Sequence, residues 1–331
     1  MLQVTAQEFQ QVLAMPEYVG YSIPKKSGGA RAVEAPQGLL RELQGRLAKY
    51  MQHFYTQHKL PCVHGFVKAF KNEPKYGVLT NAKPHLNKPC VLNMDIKNFF
   101  DSISTKQVKQ ALQQYPFMVS DEVSTAIALL CTHNKKLPTG APTSPLLSNI
   151  VFYRVDKALI DLVNEMNSTK GRDDVAINYT RYADDLTFSG EVNLVNEMKV
   201  RIVEILANNG FKVNTQKTRL QKTYAAQWVT GIKVNYKPNV SRLYVRNLRA
   251  TIHNLQNNTP LDAVKKHKGT KANKEIDLSD VHGMLSSVRS KIAWVGLVRG
   301  KTDEVYLKLK SNFEKAEKKI LLDDVAGKNA S

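Results

Sequence analysis

The sequence predicts an α+β fold, in which short strands come as antiparallel hairpins and longer helices supply most of the core. Three observations lead there. Apolar runs of strand length sit among stretches with apolar residues at helical spacing, as in Cys90–Ile96 against Leu39–Phe54. Two of the strand candidates read as hairpins, one turning at Lys25–Gly29 and one at Ala183–Asp184. From about residue 241 onward the pattern is helical and basic, so helices gather toward one end of the chain.

With 331 residues and 42% hydrophobic content the chain can bury a sizeable core and form two or three subdomains. Its 48 basic residues against 29 acidic ones give a net charge of +19. Such an excess repels itself unless a polyanion offsets it, so nucleic acid is the expected partner. A membrane is not expected, because no apolar run approaches the roughly 20 residues needed to span one. The first basic residue is Lys25, which leaves no charged segment of a signal peptide ahead of it and points to the cytoplasm. Cys62, Cys90 and Cys131 are scattered and fit reduced, buried thiols, not a disulfide frame or a zinc site.

In chain order, a short helix ends near Pro16, and Tyr21–Val33 follows as a hairpin with a Lys-Lys-Ser-Gly-Gly tip. Its glycines allow close backbone approach to a phosphate, and Lys25, Lys26 and Arg31 supply charge. Leu39, Leu40, Leu43, Leu47, Tyr50, Met51 and Phe54 define one core-facing helix over 38–58. Residues 61–88 read as loop and short helix and include Asn81-Ala82-Lys83-Pro84-His85.

Cys90–Ile96 is a strand with an anomalous acid, Asp95, near its end. A carboxylate there must be paired or bind a cation. Ser104 and Ser120 cap two helices, the first stopped by Pro116. Leu137–Pro145 is a stiff loop before a helix that Ser144 caps and Pro145 begins. After the 176–189 hairpin comes a helix ended by Asn209-Gly210. Strands are then expected at Phe211–Asn214 and within Val229–Val234. Helices follow from Ser241, over Leu278–Val298 and over Glu304–Leu322, with a basic loop at 260–276 and a frayed tail after Asp323.

Asp95 on one strand and Asp184 and Asp185 at a hairpin tip form the chemically informative set. Three clustered carboxylates repel one another unless a divalent cation sits among them. Oxygen ligands of this kind suit Mg²⁺ or Mn²⁺. Two such ions about 3.5–4 Å apart serve in-line phosphoryl displacement.

In that order, Asn93-Met94-Asp95-Ile96-Lys97-Asn98-Phe99-Phe100, Leu137–Pro145 and Tyr182-Ala183-Asp184-Asp185 resemble the A, B and C motifs of reverse transcriptases. Lys217 stands where motif D has its lysine, and Val229–Val234 resembles the primer grip. Asn81-Ala82-Lys83-Pro84-His85 and Val229-Thr230-Gly231 are similar to the N-A-x-x-H and V-T-G elements of bacterial retron enzymes. The resemblance covers roughly residues 20–240.

That resemblance implies a right-hand polymerase fold. Fingers would occupy 1–89, and the palm 90–240 with part of the fingers inserted at about 104–140. A basic helical thumb would occupy 241–331. It further implies an RNA-directed DNA polymerase that binds a structured non-coding RNA of the msr–msd type. Such an enzyme primes from a guanosine 2′-hydroxyl, makes branched msDNA from dNTPs, and serves phage defence with a separate effector protein.

Asp95, Asp184 and Asp185, with the Ile96 carbonyl, would hold two Mg²⁺ ions, and Lys217 would act as general acid. Phe100 matches the steric gate against a ribose 2′-hydroxyl. Lys25, Arg31, Thr139 and Gly140 would meet the dNTP. Asn81, His85, Arg242, Arg246 and Arg249 would meet RNA. Motif B departs from the usual Pro-Gln-Gly, since Thr139 replaces Gln, and a weaker or altered nucleotide contact is expected. The alternatives are a reverse transcriptase of a diversity-generating element or group II intron, or a catalytically silent RNA-binding scaffold.

Overall fold

The computed structural model describes residues 4–24, 28–69, 75–268 and 277–328. The chain divides into two compact units, Met1–Thr230 and Gly231–Ser331.

The first unit is built on a four-stranded antiparallel sheet. β3 (Cys90–Asp95) pairs with β5 (Asp185–Gly190) on one side and β6 (Arg219–Lys222) on the other, and β4 (Asn178–Tyr182) pairs with β5. β3 is buried at every position but Asn93, which explains its nearly continuous apolar run. α6 (Ser144–Thr169) and α7 (Val192–Asn208) carry long buried rows that meet this sheet in one core, with Leu146, Ile150, Phe152, Leu159, Met198 and Ile202 among its members. Fully burying such a side chain contributes about 1.5–3 kcal/mol.

Around this core lie α1 (Ala6–Ala14), the β1 (Tyr18–Pro24) and β2 (Ala30–Pro36) hairpin, and α2 (Gly38–His58). They are followed by the short α3 (Val78–Ala82), α4 (Thr105–Gln113) and α5 (Asp121–Cys131), and β7 (Trp228–Val229) ends the unit. The caps act where the sequence put them: Ser104 accepts from Gln107 N and Ser120 from Val123 N.

Several local expectations need correction. Tyr50 and Phe54 of α2 are 62% and 38% exposed, because the buried stripe runs through Leu40, Leu43 and Leu47 and turns away from them. Thr143, not Ser144, is the N-cap of α6, since the Ser144 hydroxyl donates back to Pro138 O at 2.7 Å. Phe211–Asn214 is no strand. Among the described residues its ladder contact is a single bridge between Val213 and Ile96, and the strand lies later, at β6.

Among the described residues the second unit contains β8 (Ile232–Lys233) and the helices α8 (Arg242–Asn257), α9 (Pro260–Lys268), α10 (Leu278–Arg299) and α11 (Glu304–Lys328). Ser241 caps α8 by accepting from Tyr244 N at 3.0 Å. Leu248, Ile252 and Leu255 form its buried row. The expected basic loop at 260–276 is helical as far as Lys268, and α11 continues past Asp323 as a helix. Among the described residues no helix is long and apolar enough to cross a membrane.

Candidate active site

The turn between β4 and β5 brings the acids together. Ala183 occupies the left-handed region at φ 57°, unusual for a residue with a side chain, and Asp184 completes the tip. Asp185 is already the first residue of β5 and lies directly across from Asp95 in the β3–β5 register. The Ile96 amide donates to Asp184 O at 3.0 Å, so the end of β3 and the turn are joined by their backbones.

A buried cation holds this turn. Arg181 is fully buried and makes a forked pair with Asp156, Nη2 to Oδ2 at 2.6 Å and Nε to Oδ1 at 2.8 Å. Its Nη1 donates to Asn149 Oδ1 at 3.0 Å and to Ala183 O at 3.1 Å, inside the turn. The guanidinium also stands 4.6 Å from the centre of the Phe152 ring. Asn149, Phe152 and Asp156 fall at i, i+3 and i+7, one face of α6, and that face accounts for their joint action.

Residues 62–65 run alongside β4. Arg181 N donates to Cys62 O at 2.7 Å and His64 N to Arg181 O at 2.9 Å. Gly65 must lack a side chain there, for a Cβ would lie 2.6 Å from Ala183 N.

Asp95 is itself well supplied. Lys217 Nζ approaches Oδ1 at 2.8 Å, Asn214 Nδ2 approaches Oδ2 at 3.2 Å, and Asn214 N donates to Asp95 O at 2.7 Å. Burial, and then the neighbouring Asp95, raises the pKa of Asp184. Burial together with Asp184 and Asp95 pushes Asp185 up to about 6. The hydrogen bond to Asp95 raises Lys217. The cluster thus holds more negative charge than its one close lysine offsets.

All-oxygen donors with this surplus suit a hard divalent cation. Among the described residues no three acidic, His or Cys side chains close on a single point as a cage. The Asp95 carboxylate faces Lys217 and Asn214 instead. The fit therefore rests on the donor chemistry and the raised carboxylates.

The other expected residues separate into groups. Arg31 is exposed on β2, and its charge lowers the pKa of Asp184, so it lies within electrostatic reach of the acids. Lys25, with Lys26, lies outside the described residues. Gly140 is packed against that hairpin: its N–H donates to Glu34 O at 3.0 Å, and a Cβ would stand 2.7 Å from the same oxygen. Thr139 is half-buried beside it. Phe100 is half-buried in a 3-10 turn after β3, its ring 6.2 Å from Phe66. Arg242, Arg246 and Arg249 are exposed on α8 in the second unit.

Asn81 and His85 are the exceptions. Both are fully buried, and the His85 ring is used on both sides, by Ser189 Oγ at 2.6 Å and Thr180 Oγ1 at 2.7 Å. Burial holds His85 neutral, its pKa lowered to about 3. Asn81 Nδ2 reaches Thr230 Oγ1 at 3.5 Å, and Thr230 donates to Val78 O at 3.2 Å. The expected RNA contact of these two side chains gives way to structural ties, of His85 to β4 and β5 and of Asn81 to Thr230.

The sequence reading missed Arg181, Asp156, Asn149, Gly65 and Asn214. Two signals were available. Arg181 is a charge in a short strand otherwise suited to burial, and Asp156 falls in the apolar row of α6. An acid and a base each out of place are often each other's partner.

Residues 23–280 match the family described as reverse transcriptase (RNA-dependent DNA polymerase). Among curated proteins, the chain is 33% identical over 276 residues to the retron Mx65 reverse transcriptase of Myxococcus xanthus, covering 76% of this chain and 58% of that one. It is 30% identical to the retron Mx162 reverse transcriptase of the same organism, over 76% of this chain and 55% of that one. It is 27% identical to the retron Ec86 reverse transcriptase of Escherichia coli, over 71% of this chain and 69% of that one. The chain thus spans little more than half the length of the first two relatives.

Proposed function

The chain belongs to the reverse transcriptase family, and on that premise we propose that it is an RNA-directed DNA polymerase of the retron type. The observation that carries this reading is the pairing of Asp185 against Asp95 beside the Asp184 turn, with Lys217 2.8 Å from Asp95. In this reading 1–89 serves as fingers, 90–240 as palm with an insertion at about 104–140, and 241–331 as thumb.

The reaction joins the α-phosphorus of a dNTP to a primer hydroxyl and releases pyrophosphate. Asp95, Asp184, Asp185 and the Ile96 carbonyl would hold two Mg²⁺ ions, or Mn²⁺, which when bound activate the attacking hydroxyl and offset charge on the leaving group. Arg31 holds the triphosphate, against a loop that Gly140 lets approach the hairpin, and Thr139 borders the sugar. Phe100 bars a ribose 2′-hydroxyl, so dNTPs are used. Lys217 stays protonated beside Asp95 and gives its proton to the departing pyrophosphate once its ammonium moves onto the phosphate.

The template is a structured non-coding RNA, primed from a guanosine 2′-hydroxyl to yield branched msDNA. Arg242, Arg246 and Arg249 grip that RNA. The product acts with a separate effector protein in phage defence, in the cytoplasm.

The test is Asp184→Asn with Asp185→Asn. DNA synthesis on an RNA template is expected to vanish while RNA binding stays, because basic surfaces carry the affinity. Undiminished synthesis by the double variant sinks the polymerase assignment. Nucleic acid extracted from the wild-type protein, expressed with its native locus, should contain a branched RNA–DNA species, and an unbranched product would sink the retron assignment.

A further inference from the structure

A groove between α8 and α11 in the second unit has chemistry of its own. Arg249, His253 and Gln256 border it from α8, Lys308 and Asn312 from α11, and Ile252 and Leu309 form the floor of a cavity of about 340 Å³. Among the described residues no acidic side chain lines it. The floor residues are buried, while Arg249, His253 and Lys308 are exposed. The site therefore pairs an apolar base with a cationic rim.

Two ties keep the walls together. Gln256 Nε2 donates to Asn312 O at 3.0 Å, and Lys319 Nζ donates to Gln256 O at 3.3 Å. The Asn257 amide lies against the His253 ring, 3.1 Å from Nδ1.

The groove also ends a track. Arg242, Arg246, Arg249 and His253 follow i, i+4, i+7 and i+11 spacing, one stripe of α8, and all four are exposed. At about 1.5 Å rise per residue, successive members stand roughly 4.5–6 Å apart along the axis. Cations in such a row follow a phosphate backbone, and a mixed pocket at the end of the row suits a base that has left the stack.

We propose that this groove captures one unpaired nucleotide of the bound RNA. Its phosphate lies between Arg249 and Lys308, its base lies over Ile252 and Leu309, and its edge faces Asn312. The strand leading to it runs along Arg242 and Arg246. This rests on the reading of the chain as an RNA-binding polymerase, and it adds a feature-specific contact to what is otherwise a charge attraction.

The experiment uses the full chain and two labelled RNA hairpins that differ only in one bulged uridine. Asn312→Phe fills the groove without changing charge. It is expected to weaken binding of the bulged hairpin about tenfold and leave the blunt one unchanged, whereas Arg242→Gln weakens both and flattens the salt dependence. Equal weakening of both hairpins by Asn312→Phe, or weakening of neither, overturns the groove while the polymerase reading stands. Should that variant lose its fold by circular dichroism, 4-thiouridine at the bulge of wild-type complexes decides. Crosslinks in α8 or α11 peptides are expected, and crosslinks found only elsewhere overturn the proposal. Competition by free uridine monophosphate against the bulged hairpin alone assigns the groove to mononucleotides and also overturns it. Wild-type protein that binds neither hairpin removes the RNA-binding reading together with the groove.

Discussion

Removing the charge at Asp156 separates what Arg181 does for stability from what it does for the Ala183–Asp184 turn. In Asp156→Asn the guanidinium stays fully buried without its anion, and breaking such a pair costs about 3–5 kcal/mol. Arg181→Met leaves Asp156 in the same position with the opposite sign, so a similar loss is expected. Combining Arg181→Met with Asp156→Leu removes both charges, and much of that loss should return, because apolar replacement of a buried pair is often close to neutral.

Synthesis should not return with it. The donor to Ala183 O, 3.1 Å away, is absent from the double variant, and the left-handed residue loses that hold. An unsatisfied buried acceptor costs about 1–3 kcal/mol, which corresponds to roughly five- to 150-fold in rate if it falls entirely on the transition state. Urea unfolding reads the first quantity and single-turnover primer extension the second. A double variant that copies RNA at the wild-type rate refutes the positioning argument and leaves the pair a purely structural one.

Two other outcomes follow from the geometry. Gly140→Ala forces a Cβ to within 2.7 Å of Glu34 O and moves the hairpin that carries Arg31, at a cost of about 1–3 kcal/mol. The KM for dNTPs should rise several-fold with RNA affinity unchanged, and an unaltered KM would detach the hairpin from nucleotide binding. The His85 ring has a folded pKa near 3 against an ordinary value of 6.5, so the unfolded chain takes up the proton first as pH falls. The stability that neutral His85 provides is full above about pH 6.5 and is lost on the way down to 3, with roughly 2 kcal/mol gone at pH 5. The difference in unfolding free energy between wild type and His85→Gln should shrink by that amount between pH 7.5 and 5, and a constant difference would contradict the neutral, buried ring.

Most of the elements were legible because their signals are local. α2 spans the 38–58 stretch marked by its leucine spacing, and Ser104, Ser120 and Ser241 cap the helices they precede. Asp95 stood out because an acid at the end of an apolar strand needs a reason. What the sequence concealed depends on distant partners. Asn81 and His85 read as functional polar residues, yet the hydroxyl partners of His85, Thr180 and Ser189, come from β4 and β5, and that of Asn81 is the distant Thr230. Phe211–Asn214 has the composition of a strand but is spent on a single bridge and on Asn214's bonds to Asp95. The need for glycine at position 65 follows only from the proximity of Ala183, which spacing along the chain does not reveal.

The segment of residues 62–64 that runs beside β4 has a consequence for how the sheet meets other chains. A sheet of four strands has two outer edges, and unpaired edges invite strands from other chains. On the β4 side the amide and carbonyl of Arg181 are already taken by Cys62 and His64, with Val63 bridged in parallel to Arg181. On the other side β6 reads Arg219-Leu220-Gln221-Lys222, and Gln227 donates its side-chain amide to the Gln221 carbonyl. One border is covered by the chain itself at Arg181, and the other is charged and capped at Gln221. At these positions the flanks of the sheet are less open to a strand of a second copy, which limits edge-to-edge aggregation.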